Sequence, residues 1–192
     1  LDIKSGANIS KVLKDEKNMK DVIIEANPCY PFIAIGNSCG NVFCVQLIDP
    51  RNPTLLTEFL LSREPIQHLR FSNFGHYLLA IDVEWNHFVI STMPGSKQTV
   101  LHHFRREIFM KEFFSIESRN ELSIVFLVKS TSSNNDSVLK IKVKLDDLDA
   151  EMETDEWELA TPYEMMLPFN NSFDLFYGVR EKCRFIEVIF KN

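Results

Sequence analysis

The chain has 192 residues, 45% of them hydrophobic with 16 Phe, and carries a formal net charge of −6. That is the size of one domain or a piece of one, with enough apolar mass for a sizeable core. No run approaches the ~18 apolar residues of a membrane span, and the acidic balance leaves no basic stripe with which to track nucleic-acid phosphates.

Strand signals fill the chain from residue 22 onward. Runs rich in β-branched and aromatic residues at 22–25, 32–35, 42–48 and 55–61 are separated by Asn-Pro, Gly-Asn and Asp-Pro-Arg-Asn-Pro, which punctuate strands. The pattern recurs at 66–71, 77–81, 87–92 and 99–104, with Asn73-Phe74-Gly75, Glu84-Trp85-Asn86 and Pro94-Gly95-Ser96 as the reversals. A third round occupies 109–116, 122–128 and 138–145, and a weaker fourth 163–167, 174–179 and 184–190. Placing Ile24 on Leu69 gives an offset of 45 residues, and Phe71 on Phe114 one of 43. Four strands at a period of about 40–45 residues are the signature of propeller blades, sheets that bury their two apolar faces by stacking around an axis.

Tight antiparallel reversals need residues that tolerate a left-handed backbone. Gly40, Gly75 and Asn86 can adopt it cheaply, Gly36 and Asn73 are further turn-forming positions, and Ser72 and Asn73 can hydrogen-bond within their own turn. The stretch from Phe71 to Ala80, FSNFGHYLLA, resembles the first-to-second-strand turn of WD40 repeats, and Gly36 to Val45, GNSCGNVFCV, resembles their second-to-third-strand turn. The likeness covers residues 20–105 well and the remainder by strand pattern only. It implies an all-β, WD40-like β-propeller of about four blades at 20–62, 63–106, 107–160 and 161–192. A strand at 9–13 would belong to a neighbouring or closing blade, and the whole would be part of a seven- or eight-bladed ring. The blades are divergent: the family's turn Asp is replaced by Cys39 and Trp85, and its Trp-Asp ending by Val45-Gln46 in the first blade. The family's buried Asp, His, Ser/Thr and Trp network therefore cannot be assigned to residues here.

Between the third and fourth rounds, eight of the fourteen residues from 145 to 158 are acidic. Such a segment repels itself, which makes it a surface loop or a short outer strand. It could also dock a basic partner, with Trp157 as aromatic anchor. Lys140, Lys142 and Lys144 alternate, as on the solvated face of a strand.

Chemistry is harder to find. Cys29, Cys39, Cys44 and Cys183 lack the short paired spacings of zinc or redox motifs and read as free thiols of a reducing compartment. Asn8, Asn135 and Asn170 begin Asn-x-Ser/Thr triplets, the kind that polar loops produce by chance. Histidines 68, 76, 87, 102 and 103 have no ligand spacing, and adjacent His102 and His103 would face opposite sides of a strand. Neither a phosphate-binding glycine loop nor a serine-nucleophile motif occurs, so no catalytic residue, cofactor or metal site is assigned.

The expected function is a non-catalytic scaffold that binds other proteins through the loops at the ends of the ring. Tyr30, Arg63, Trp85, Arg105, Arg106 and Trp157 are the candidate anchors. The chain lacks an initial Met and a signal segment and reads as a piece of a longer cytoplasmic protein. Its partners would be other proteins and the remaining blades of the parent chain. Divergent blades with an acidic insertion resemble those of ciliary and flagellar axonemal WD-repeat proteins. Propeller subunits of vesicle coats, nuclear pores or signalling complexes are the alternative, and a propeller enzyme ranks last.

Overall fold

A computed structural model describes residues 21–49, 51–129, 136–145 and 152–158, and the strand backbones 165–169, 172–179 and 182–188. The expected strand at 9–13 lies outside the described residues. Every regular element described is a β-strand, and every pairing is antiparallel. The chain divides into two compact units, Leu1–Arg106 and Glu107–Asn192.

The first unit contains two four-stranded meanders. One runs β1 (Ile23–Ala26), β2 (Phe32–Gly36), β3 (Asn41–Gln46) and β4 (Thr54–Leu60); the other runs β5 (Ile66–Phe71), β6 (Tyr77–Asp82), β7 (Asn86–Ser91) and β8 (Thr99–Arg105). Middle strands must be apolar on both faces because each face meets another layer. Accordingly β2 is buried throughout, and β6 and β7 are buried at nearly every position. The outer strands β4 and β8 alternate instead between exposed and half-buried residues, with one departure in β8. Phe32, Ala34 and Val42 of the first sheet pack on Leu69, Phe71, Leu78, Ala80, Phe88 and Ile90 of the second, and Phe32 meets Phe71 edge to face at 5.5 Å.

Both sheets carry a register shift at matching places, between Cys44 and Val45 and between Val89 and Ile90. Such bulges raise the local twist and blunt an outer strand against stray pairing. The third strand is shorter than its apolar run suggests: β3 stops at Gln46, and Ile48 is 70% exposed. Asp49 ends it there, because its carboxylate accepts from the Arg51 N–H and from Asn52 Nδ2 and builds a turn of its own.

The second unit holds β9 (Met110–Glu117), β10 (Glu121–Lys129), β11 (Asp136–Lys144) and β12 (Glu153–Glu158) in the order β12-β11-β10-β9. Its other sheet is three-stranded, β13 (Met165–Phe169), β14 (Ser172–Val179) and β15 (Lys182–Val188). The acidic insertion supplies β12, an outer strand with all six residues exposed. Lys140, Lys142 and Lys144 lie on one face of β11, between buried Leu139, Ile141 and Val143.

Candidate protein-interaction surface

Antiparallel alternation places the β1–β2 and β3–β4 turns at one end of the first sheet, and the β5–β6 and β7–β8 turns at the matching end of the second. These turns are tied together. Buried Asn27 accepts the N–H groups of Cys29 and Tyr30 on Oδ1, both at 2.9 Å, and donates Nδ2 to Gly75 O at 2.7 Å. Thr92 Oγ1 donates to the same carbonyl at 3.1 Å. Tyr30 Oη and His76 Nε2 are hydrogen-bonded at 2.7 Å, and the Tyr30 ring stacks on Phe32. Leu47 N donates to Pro31 O at 2.7 Å, which fixes the base of the loop carrying Ile48.

On this hydrogen-bonded platform Ile48, Phe74 and Met93 are 70%, 51% and 40% exposed. Residues 27–31, 71–76 and 92–96 contain no Asp, Glu, Lys or Arg. Arg70 precedes the second of these segments and Lys97 follows the third, while Asp49 and Arg51 lie in the same loop as Ile48. Exposed apolar side chains on hydrogen-bonded turns, with only a few charges beside them, are the composition of a protein-docking core.

The opposite end of the same two sheets is of another character. Asn37 accepts Cys39 N and Asn41 N on its Oδ1, while Asp82 accepts Glu84 N and Asn86 N in the same way 45 residues later. Of the expected anchors, Arg63, Trp85, Arg105 and Arg106 fall at this end. Arg63 is exposed. Arg105 is taken up by Glu84, with Nη2 to Oε2 at 2.7 Å and Nε to the carbonyl at 3.1 Å. Arg106 donates its backbone N–H to Trp85 O, which fixes the backbone of both residues in the turn. Tyr30 lies at the other end, and Trp157 stands on β12 of the second unit opposite Val138. Within the first unit the expected anchors therefore fall at both ends, four at one and Tyr30 at the other.

Two turn assignments are corrected. The left-handed residue of the β6–β7 turn is Trp85, at φ 63°, and Asn86 is the first residue of β7. The cause is Asp82, whose Oδ2 also takes Asn86 Nδ2 and holds Asn86 in the ladder opposite Arg105. Gly36 ends β2 without a positive φ; a Cβ there would come within 2.8 Å of Ile66 Cγ2, so its role is close approach to β5. Gly40 and Gly75 have φ of 79° and 74° and sit in the turns. Asn73 lies in the β5–β6 turn, where its carbonyl is 3.9 Å from Cys29 Sγ.

Ile48, Phe74, His76 and Met93 were missing from the sequence-based anchors. The signal for them is turn parity: in a meander, first and third turns share an end, which groups the loops at 27–31, 47–53, 72–76 and 92–98.

His87 is fully buried, stacked on Phe104 at 4.6 Å, with Nε2 2.9 Å from Arg106 O. Burial lowers its pKa to about 4, against smaller upward pulls from that carbonyl and Asp82. It is therefore a neutral core group at neutral pH. Burial also pushes the Cys44 thiol up to about 12. Among the described residues no group of three His, Cys, Asp or Glu side chains is arranged to hold a metal ion, and no helix is long and apolar enough to cross a membrane.

No protein-family profile matches the sequence, and no curated protein matches it significantly. Solved structures do. The chain is similar to Sqt1 of Saccharomyces cerevisiae, with a TM-score of 0.58 and 12% identity over 83% of this chain and 43% of that one. It is likewise similar to the WD40 domain of SCAP from fission yeast, with a TM-score of 0.57 and 8% identity over 91% of this chain and 46% of that one. The chain thus spans less than half the length of both structures. At these identities the likeness carries the fold alone, and the fold is that of a WD40-like β-propeller.

Proposed function

We propose that this chain is a non-catalytic protein-interaction scaffold whose docking surface is the end of its first two blades that carries Ile48, Phe74 and Met93. The observation that supports this is Ile48, Phe74 and Met93, exposed on turns that Asn27, Tyr30, His76 and Thr92 hold rigid. A turn whose backbone is already fixed loses little entropy on binding. Arg105, by contrast, must give up Glu84 before it serves a partner.

In the same reading the chain is four blades of a seven- or eight-bladed ring, at 20–62, 63–106, 107–160 and 161–192, with residues 9–13 in a neighbouring or closing blade. The remaining blades of the parent chain are then its permanent partners. Its place is the cytoplasm, as a structural component of the axoneme; a coat, nuclear-pore or signalling complex is the competing placement. The axonemal reading rests on the texture of divergent blades with an acidic insertion.

The test is proximity labelling from the full-length protein in ciliated cells, comparing the parent with an Ile48→Ser, Phe74→Ser, Met93→Ser triple variant and with Arg63→Ser, Arg105→Ser. Loss of labelled partners in the triple variant alone is expected, with thermal unfolding unchanged. An unchanged partner set in the triple variant overturns the docking surface. Enrichment of coat or pore components without axonemal ones overturns the placement.

A further inference from the structure

Outer strands of a blade are normally held by half-buried apolar side chains as well as by backbone hydrogen bonds. In β4 Leu55 and Phe59 serve, and in β8 Leu101 and Phe104. β12 differs. Its sequence is ETDEWE, every residue is exposed, and its one apolar side chain, Trp157, is 39% exposed. The side-chain contacts along it include ion pairs: Lys142 Nζ reaches Glu153 Oε2 at 3.3 Å and Asp155 Oδ2 at 3.7 Å, and Lys144 Nζ reaches Glu153 Oε1 at 4.0 Å. Exposed pairs of this kind are individually weak and screened by salt.

The strand beneath is built differently. Ser137, Val138, Leu139, Ile141 and Val143 of β11 are buried, and β11 pairs with β10 over nine consecutive positions. Lifting β12 away would leave β11 in place and bare its ladder edge from Ser137 to Lys142. A bared edge of this kind pairs with any extended chain that fits it. The fit is defined by charge: Lys140, Lys142 and Lys144 share one face, and the first two lie opposite Asp155 and Glu153 in the ladder. An occupant must be extended and must carry carboxylates at alternate positions.

We propose that β12 is a detachable strand and that the β11 edge it covers is a docking site for an extended acidic segment of a partner protein. Carboxylates of that segment take the places of Glu153 and Asp155 against the lysine face, and its backbone takes over the ladder of β12. This inference is independent of the docking surface on the first two blades. It also reassigns the acidic insertion: the stretch acts as an internal placeholder for an acidic ligand, where its charge alone would suggest a basic partner.

Two measurements on the full chain test it. The first is hydrogen–deuterium exchange at about 0.05 M and about 0.5 M NaCl, where the shorter Debye length weakens the pairs. Amides of β12 should exchange several-fold faster at the higher salt, with those of β9 and β10 unchanged. The second is fluorescence anisotropy with a labelled peptide of residues 151–160, EMETDEWELA. The receptor is the full chain carrying Glu153→Lys and Asp155→Lys, substitutions on exposed positions that set β12 against the lysine face. The peptide should bind this variant at least about tenfold more tightly than it binds the parent, whose own β12 competes at the high local concentration of a tethered strand. Adding Lys142→Glu should remove about tenfold or more of that binding, as should scrambling the peptide sequence. Salt-insensitive β12 amides, or a peptide that binds parent and variant alike or ignores Lys142→Glu, would overturn the proposal. Exchange protection in β9 and β10 of each variant shows that the sheet itself stays folded.

Discussion

Asn27→Ala tests the bridge between the first two blades most simply. The substitution removes two acceptor bonds at 2.9 Å to the Cys29 and Tyr30 amides and one buried donor bond at 2.7 Å to Gly75 O. A net hydrogen bond is worth about 0.5–1.5 kcal/mol, and an orphaned buried group costs more. Two features reduce the loss: Cys29 is exposed, so its amide regains water, and Gly75 O keeps its bond from Thr92 Oγ1. The expected destabilisation is therefore about 2 kcal/mol, a fall in Tm of about 4–8 °C. Urea unfolding followed through Trp85 fluorescence reads it. Asn27→Asp keeps the acceptors but sets an oxygen against Gly75 O, and should cost at least as much as Ala. An Ala variant within about 0.5 kcal/mol of the parent would refute the claim that this side chain holds the two turns together.

Gly75→Ala should cost about 3 kcal/mol or more, because φ is 74° and the new methyl overlaps the Asn27 carboxamide; Gly40→Ala should cost a similar amount through the Ser62 carbonyl. Both are read by denaturant midpoint. Gly95→Ala, at φ 76° with open space around it, should cost only the backbone part, about 1 kcal/mol. His87 is neutral in the fold with a pKa near 4, below its ordinary 6.5, so unfolding takes up a proton as pH falls. Stability should be full above about pH 6.5 and decline towards pH 4 by about 3 kcal/mol, and His87→Val should flatten that part of the slope in a pH series of urea unfolding curves. Cys44, fully buried with its pKa near 12, should react with a thiol reagent only on unfolding, whereas exposed Cys29 reacts in the native protein.

The strands were legible because their two determinants are local. Apolar runs of five or six residues mark β2, β6 and β10, where both faces are covered, and turn residues delimit them. The 45-residue offset added the tertiary level, since Asn37 and Asp82 are side chains doing one task in successive blades, each accepting the amides two and four residues on. What stayed hidden depends on competition between neighbours. Asn is ordinarily the better host for a left-handed backbone, yet Asp82 holds Asn86 in its strand and Trp85 takes the strained position. Gly36 carries the composition of a turn and the function of a contact, because only folding brings Ile66 against it.

The expected anchors are dispersed for a related reason. Trp and Arg dominate interface energies in general, which drew attention to Trp85 and Arg105. Folding commits the Trp85 backbone to its own turn and Arg105 to Glu84. Ile48 looked like part of a strand until the Asp49 turn cut β3 short, and Phe74 and Met93 sat in turns whose common end is visible only once the meander is drawn. The acidic stretch was ambiguous because its pairing partner is β11, where alternating lysines lie opposite alternating carboxylates.

The most direct test of the docking surface is site-specific photo-crosslinking in the full-length protein within cells, with a benzophenone side chain placed in turn at positions 74, 105 and 157. Discrete partner adducts from position 74, lost when Ile48→Ser and Met93→Ser are added, are the predicted result. Adducts confined to positions 105 or 157, with none from position 74, would contradict the account and move the interface to the opposite end of these blades or to the second unit.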